Sequence, residues 1–180
     1  MNSNTENLIQ IINQSIKEEK QLPQSAAKKI LDDKSVNILS LLASAYELRK
    51  KHFDNTVQVH VINNTQNGSC PEDCSYCAQG KNSSAEIPEY RFKSEEETLE
   101  EARLAYENGA HRYCMVSSGR GPKQKRIDAV SKTIQKIKER YPIEVCLSTG
   151  FINEDMAKQL KTAGLDRLNH NLNTSKTHYP

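Results

Sequence analysis

Three of the chain's five cysteines fall within eight residues, in the run Asn67-Gly-Ser-Cys-Pro-Glu-Asp-Cys-Ser-Tyr-Cys-Ala-Gln79. Cys70, Cys74 and Cys77 are spaced C-x3-C-x2-C. Thiolates are soft ligands, and this bunching suits zinc or iron–sulfur chemistry. The count decides more than the bunching. A closed site, structural zinc or an electron-transfer [4Fe–4S] cube, needs four protein ligands. No fourth Cys or His follows within thirty residues. Three thiolates on a cube leave one iron open to a small molecule. The competing reading is a disulfide or a zinc knuckle. It leaves one thiol unpaired in the first case and the metal one ligand short in the second.

The chain has 180 residues, enough for one domain with a real core. Lys and Arg number 25 against 23 Asp and Glu, a net charge of +2, so no single-sign field points to nucleic acid. No apolar run approaches the roughly eighteen residues of a membrane span. The first seven residues lack a basic and an apolar segment of a secretion signal, and Glu18 and Glu19 argue against a transit peptide. The expected compartment is a reducing cytosol, where clustered Cys means metal rather than disulfide.

Apolar positions 8, 11, 12 and 16 predict a helix over 6–20. After a break at 22–25, two more helices are expected over 25–35 and 36–53. Residues 57–63 are β-branched and partly alternating, and predict a first strand. The cysteine loop follows at its C-terminal end. Ser94 with Glu97 forms a capping box for a helix running to Gly109. Then come a strand at 111–117, a Gly119-Arg-Gly-Pro turn, a helix at 123–140, a strand at 143–149, a helix at 153–163 capped by Asn153, and a strand at 165–173. Strand–helix repeats of this kind mean a parallel sheet of βαβ units. Four strands make half of an eight-stranded barrel, whose active site is built from the loops after the strands. The fold class is thus α/β, the first half of a (β/α)8 barrel of TIM type. A helical extension over 1–55 precedes the core at 56–180.

Cys114 and Cys146 lie on neighbouring strands. Residues i and i+2 share a face of a strand. The large neighbours Tyr113, Met115, Val145 and Leu147 belong on the helix-covered face, so both thiols point to the barrel interior. There they are either small buried hydrophobes or two ligands of a cluster that needs four. On the last strand Asn169, Asn171 and Asn173 alternate, which puts three amides on one face. Asn is a poor strand former, and buried amides need partners. They suit ribose hydroxyls or a urea-like carbonyl, unless the segment is simply a solvent-exposed turn.

The three-cysteine loop resembles that of the radical S-adenosylmethionine enzymes. Val59-His-Val61, the Cys-Pro-Glu-Asp-Cys-Ser-Tyr-Cys run, Arg112-Tyr-Cys-Met115, Glu144-Val-Cys-Leu147, Ala163-Gly-Leu-Asp166 and Asn169-His-Asn-Leu172 together resemble the biotin synthase family, over residues from about 38 to 180. That resemblance implies a (β/α)8 barrel that inserts sulfur into dethiobiotin. It implies a [4Fe–4S] cluster on Cys70, Cys74 and Cys77, with Tyr76 packing on the adenine of S-adenosylmethionine. Cys114 and Cys146 become two ligands of an interior [2Fe–2S] cluster. Asn169 and Asn171 contact substrate, and Asn171 and Asn173 contact S-adenosylmethionine. A flavodoxin- or ferredoxin-type electron donor, a homodimer at full length and a cytoplasmic location are implied too. The sequence departs from the family at Asn173, where Asp is usual, and lacks the second half of the barrel. Another radical enzyme of the same group, or a non-catalytic iron–sulfur or zinc protein, is the alternative.

Overall fold

The computed structural model of the protein describes residues 3–173 and 175–177. They form two compact units, Met1–Val57 and Gln58–Pro180.

The first unit holds α1 (Ser3–Glu18), α2 (Gln24–Asp32) and α3 (Ile38–Phe53). Leu8 and Ile12 of α1, one turn apart, bury against Ala26 of α2, with Ile16, Leu22 and Leu41 beside them. α2 ends before the expected boundary. Asp33 takes an extended backbone, and its carboxylate accepts from the amide and hydroxyl of Ser35. Such local bonds compete with helix propagation. α3 starts where Asn37 accepts from the amides of Leu39 and Ser40.

The second unit runs β1 (His60–Gln66), α4 (Glu95–Glu107), β2 (Arg112–Ser117), α5 (Gln124–Arg140), β3 (Glu144–Ser148), α6 (Glu154–Thr162) and β4 (Arg167–Leu168). All neighbouring strands pair in parallel, in the order β1-β2-β3-β4. The Ser94–Glu97 capping box forms as expected, and Gly109 leaves α4 at φ +76°.

Strand parity separates two faces. Tyr113, Met115, Val145 and Leu147 are almost fully buried against Ile127, Val130, Ile134 and Ile137 of α5, Ala102 and Ala105 of α4, and Leu160 of α6. Each large apolar side chain sealed there contributes about 1.5–3 kcal/mol. Arg112, Cys114, Glu144 and Cys146 occupy the opposite face.

Two strands differ from the sequence-based expectation. β1 begins three residues later than residue 57 and runs on to Gln66. Its polar residues are buried with partners: the Asn63 amide donates to the Tyr113 hydroxyl, and the Thr65 hydroxyl donates to the Val116 carbonyl at 2.7 Å. Side-chain type alone hides such a strand. β4 is far shorter than 165–173. Its ladder closes with the Asn169 amide on the Leu147 carbonyl at 2.8 Å. β3 ends at Ser148 and the chain turns at Gly150, so nothing further along β3 can pair with 170–173. Among the described residues no helix is long and apolar enough to cross a membrane.

Candidate metal centre

The cysteine loop leaves the C-terminal end of β1. Its base is closed by an antiparallel bridge between Asn67 and Tyr90, with N–H···O distances of 3.3 and 3.1 Å. Asn67 also donates to the Pro88 carbonyl. Gly68 stands at φ +74°, where a Cβ would lie 2.6 Å from Glu89 Cγ, so only glycine fits this corner. The Gly68 amide donates to Gln79 Oε1 at 3.1 Å, and its carbonyl accepts from the Ser118 hydroxyl at 2.8 Å.

Inside the loop the Cys77 amide donates to the Cys74 carbonyl at 2.9 Å, Gly80 to Cys77 at 3.0 Å, and Lys81 to Glu72 at 2.9 Å. These turns fold the three cysteines into one short, partly buried segment. All three are free thiols. Burial pushes the Cys74 thiol up, and the neighbouring Cys77, Cys70, Glu72 and Asp73 push it the same way. Iron held there would reverse that preference, because thiolate is the ligand. Among the described residues no three His, Cys, Asp or Glu side chains close on a single metal ion. Thiolates on an iron–sulfur cube bind three different irons and stand farther apart than ligands of one ion. The donor set of three soft thiolates fits a cube with one iron left open.

Further contacts tie the loop to the rest of the sheet's C-terminal end. The Tyr76 hydroxyl donates to Asn173 Oδ1. On the other side, Arg120 meets Glu72 at 3.3 Å. The Arg120 guanidinium also lies 5.5 Å from the Phe151 ring, which in turn lies 4.7 Å from the His170 ring. Asn169 donates to Ser148 Oγ and Asn171 Oδ1, both at 3.4 Å. The three amides therefore lie beyond β4 rather than along it, which corrects the expected strand face. They still gather at the mouth of the sheet, with Asn173 directly against Tyr76.

Cys114 and Cys146 are register partners on β2 and β3. Both turn away from the helices, as strand parity predicts. The Cys146 thiol is pushed up to about 11 by burial and by Cys114, against the pull of Arg112 and Arg167. Arg112 is held by Glu144 through two bonds of 2.8 and 2.7 Å. Two thiols side by side supply half of a [2Fe–2S] ligand set.

The sequence reading assigned no role to Arg120, Phe151 or Ser118. A signal was present in Gly119-Arg-Gly121 and in Gly150. A Cβ on Gly121 would sit 2.5 Å from the Phe151 carbonyl oxygen, and one on Gly150 only 2.2 Å from that of Arg120. Glycines flanking an Arg mark backbones that touch.

A loop of three free cysteines at the C-terminal end of the first strand of a parallel βα sheet defines a class. The chain matches the family described as the Radical SAM superfamily over residues 64–179 and belongs to it. It is 55% identical over 160 residues to a biotin synthase of Magnetococcus marinus, which covers 88% of this chain and 50% of that one. It is 50% identical over 162 residues to a biotin synthase of Acaryochloris marina, covering 90% and 47%. The chain thus spans about half the length of the curated relatives it matches. Methylornithine synthase (PylB) superposes with a TM-score of 0.74 at 21% identity, over 87% of this chain and 46% of that one. The FeFe-hydrogenase maturase HydG from Carboxydothermus hydrogenoformans gives 0.70 at 21%, over 93% and 38%. These two share the fold.

Proposed function

We propose that this chain provides the first four strands of a biotin synthase, the enzyme that inserts sulfur into dethiobiotin using S-adenosylmethionine. The observation that carries this reading is the pairing of two elements on one sheet. The C-x3-C-x2-C loop sits at the end of β1, and Cys114 stands opposite Cys146 on the face away from the helices. The loop alone suits any radical S-adenosylmethionine enzyme. The inward cysteine pair favours one that also carries a [2Fe–2S] cluster as sulfur donor.

Cys70, Cys74 and Cys77 would hold the [4Fe–4S] cluster. When bound, that group supplies the electron that splits the sulfonium of S-adenosylmethionine into methionine and a 5′-deoxyadenosyl radical. The chain's own residues do the rest of the positioning. Tyr76 presents an aromatic face beside the third cysteine, fixed by its bond to Asn173. Asn169, Asn171 and Asn173 offer amide donors and acceptors at the mouth of the sheet, matched to ribose hydroxyls and to the ureido group of dethiobiotin. Asn173 accepts hydrogen bonds without the charge of an Asp. Cys114 and Cys146 supply two thiolates to the [2Fe–2S] cluster. A flavodoxin- or ferredoxin-type protein delivers electrons, the full-length enzyme is a homodimer, and five free thiols suit a reducing cytoplasm.

The test is anaerobic reconstitution of the purified chain with ferrous iron and sulfide. The expected product is a cube with visible absorbance that is lost in Cys70→Ala, Cys74→Ala or Cys77→Ala. A full cube in the triple variant, or stoichiometric zinc in its place, refutes the assignment.

A further inference from the structure

The loop that must hold three thiolates also carries two carboxylates between its first and second cysteine, Glu72 and Asp73. A three-thiolate cube is itself anionic, and like charges at this range repel. The structure answers each carboxylate differently. Asp73 accepts from the neutral Asn82 amide at 2.9 Å. Glu72 alone meets a full positive charge, Arg120, which arrives from the loop after β2. That cation comes from outside the cysteine loop, 48 residues along the chain.

The placement of Arg120 is built rather than incidental. Its carbonyl accepts from the Phe151 amide at 2.8 Å. Gly121 and Gly150 allow the two backbones to meet at distances no side chain permits. The guanidinium then lies over the Phe151 ring, a position that favours a cation. With the Arg120 side chain 59% exposed and that of Glu72 33%, the pair adds little to stability. A charge that scarcely stabilises the fold, yet is held by a clasp of two loops beside the cluster loop, has another use.

We infer that Arg120 is a positioning residue for the cube. It acts through Glu72, offsetting that carboxylate so that the cluster on Cys70, Cys74 and Cys77 can accept an electron. The inference rests on the cluster assignment above. Reduction adds one negative charge to the cube, taken from an external one-electron donor, and every uncompensated anion nearby opposes it.

The experiment is a spectroelectrochemical titration of the reconstituted 180-residue chain at low ionic strength, with dithionite as reductant. Arg120→Gln should shift the midpoint potential to more negative values, and Glu72→Gln to more positive ones. The double variant Glu72→Gln/Arg120→Gln should return close to the wild type, and Arg120→Lys should stay there. The shifts should shrink as salt is raised, because the pair is exposed. If Arg120→Gln prevents cluster loading altogether, recovery of loading in the double variant supports the inference. A double variant no better than Arg120→Gln means a mechanical tether and overturns it. So does an unchanged potential in Arg120→Gln. A wild-type chain that takes up no cube refutes the cluster assignment instead. Far-UV circular dichroism of each variant confirms that the fold is retained.

Discussion

Cys114 and Cys146 stand opposite each other as register partners on the adjacent parallel strands β2 and β3. The pair is local to β2 and β3, so it needs no other strand to form. A trivalent arsenical bridges two neighbouring thiols and ignores isolated ones. In a chain with Cys70, Cys74 and Cys77 changed to Ser, one equivalent of phenylarsine oxide should bind tightly. Cys114→Ser in that background should abolish binding. Retained tight binding by the single remaining thiol would contradict the pairing.

Asp166 accepts from the Val145 amide at 2.7 Å and from Lys138 at 2.9 Å. Burial raises its carboxyl, but the Val145 amide and Lys138 outweigh it and hold the group below its ordinary value. A depressed folded value gives stability that is fully present above the unfolded pKa of about 3.9 and is lost as pH falls through the folded one. Asp166→Ala should therefore cost about 1–3 kcal/mol near neutral pH, where an amide loses its acceptor. Urea denaturation should show the difference from wild type narrowing below pH 4.

Tyr113 is fully buried, and its hydroxyl donates to the Thr98 carbonyl at 3.1 Å while accepting from Asn63. Tyr113→Phe keeps the ring, leaves the Asn63 amide without its acceptor and removes one of two donors to the Thr98 carbonyl inside α4. Stability should fall by about 1–3 kcal/mol. Tyr113→Leu should cost more, because a cavity is added. Thermal unfolding that ranks Tyr113→Phe level with the wild type would show that Asn63 finds another partner.

Gly150→Ala forces a Cβ at φ +79° onto the Arg120 carbonyl. Strain of this kind costs about 1–3 kcal/mol even before the overlap is relieved. The clasp between the two loops should open, and the Arg120→Gln behaviour should appear without any change of charge. A crystal structure of the variant with the Arg120–Glu72 contact intact would count against that coupling.

Much of the fold was readable because hydrophobic spacing and caps agree along the chain. Ser94 with Glu97, and Tyr113 and Met115 flanking Cys114, define their element and face locally. The end of β1 is hidden in the sequence because Thr65 looks like a loop residue until Val116 is seen to receive its bond. The length of β4 was misread for a related reason. Alternation of Asn169, Asn171 and Asn173 is a property of the strand itself, whereas pairing depends on where β3 stops. The three candidate metal ligands, Cys70, Cys74 and Cys77, are legible as spacing. Arg120 was not, because its partner Glu72 is 48 residues away and only the fold brings them together.

The Asn67–Tyr90 bridge has an entropic meaning for the cysteine loop. It joins the ends of the cysteine loop through backbone bonds that do not involve the thiols, so the three thiols lie on one closed ring of chain. Closing a loop costs entropy that grows slowly with its length, and here protein bonds have already met that cost. The mouth of that ring is therefore set by the protein chain itself.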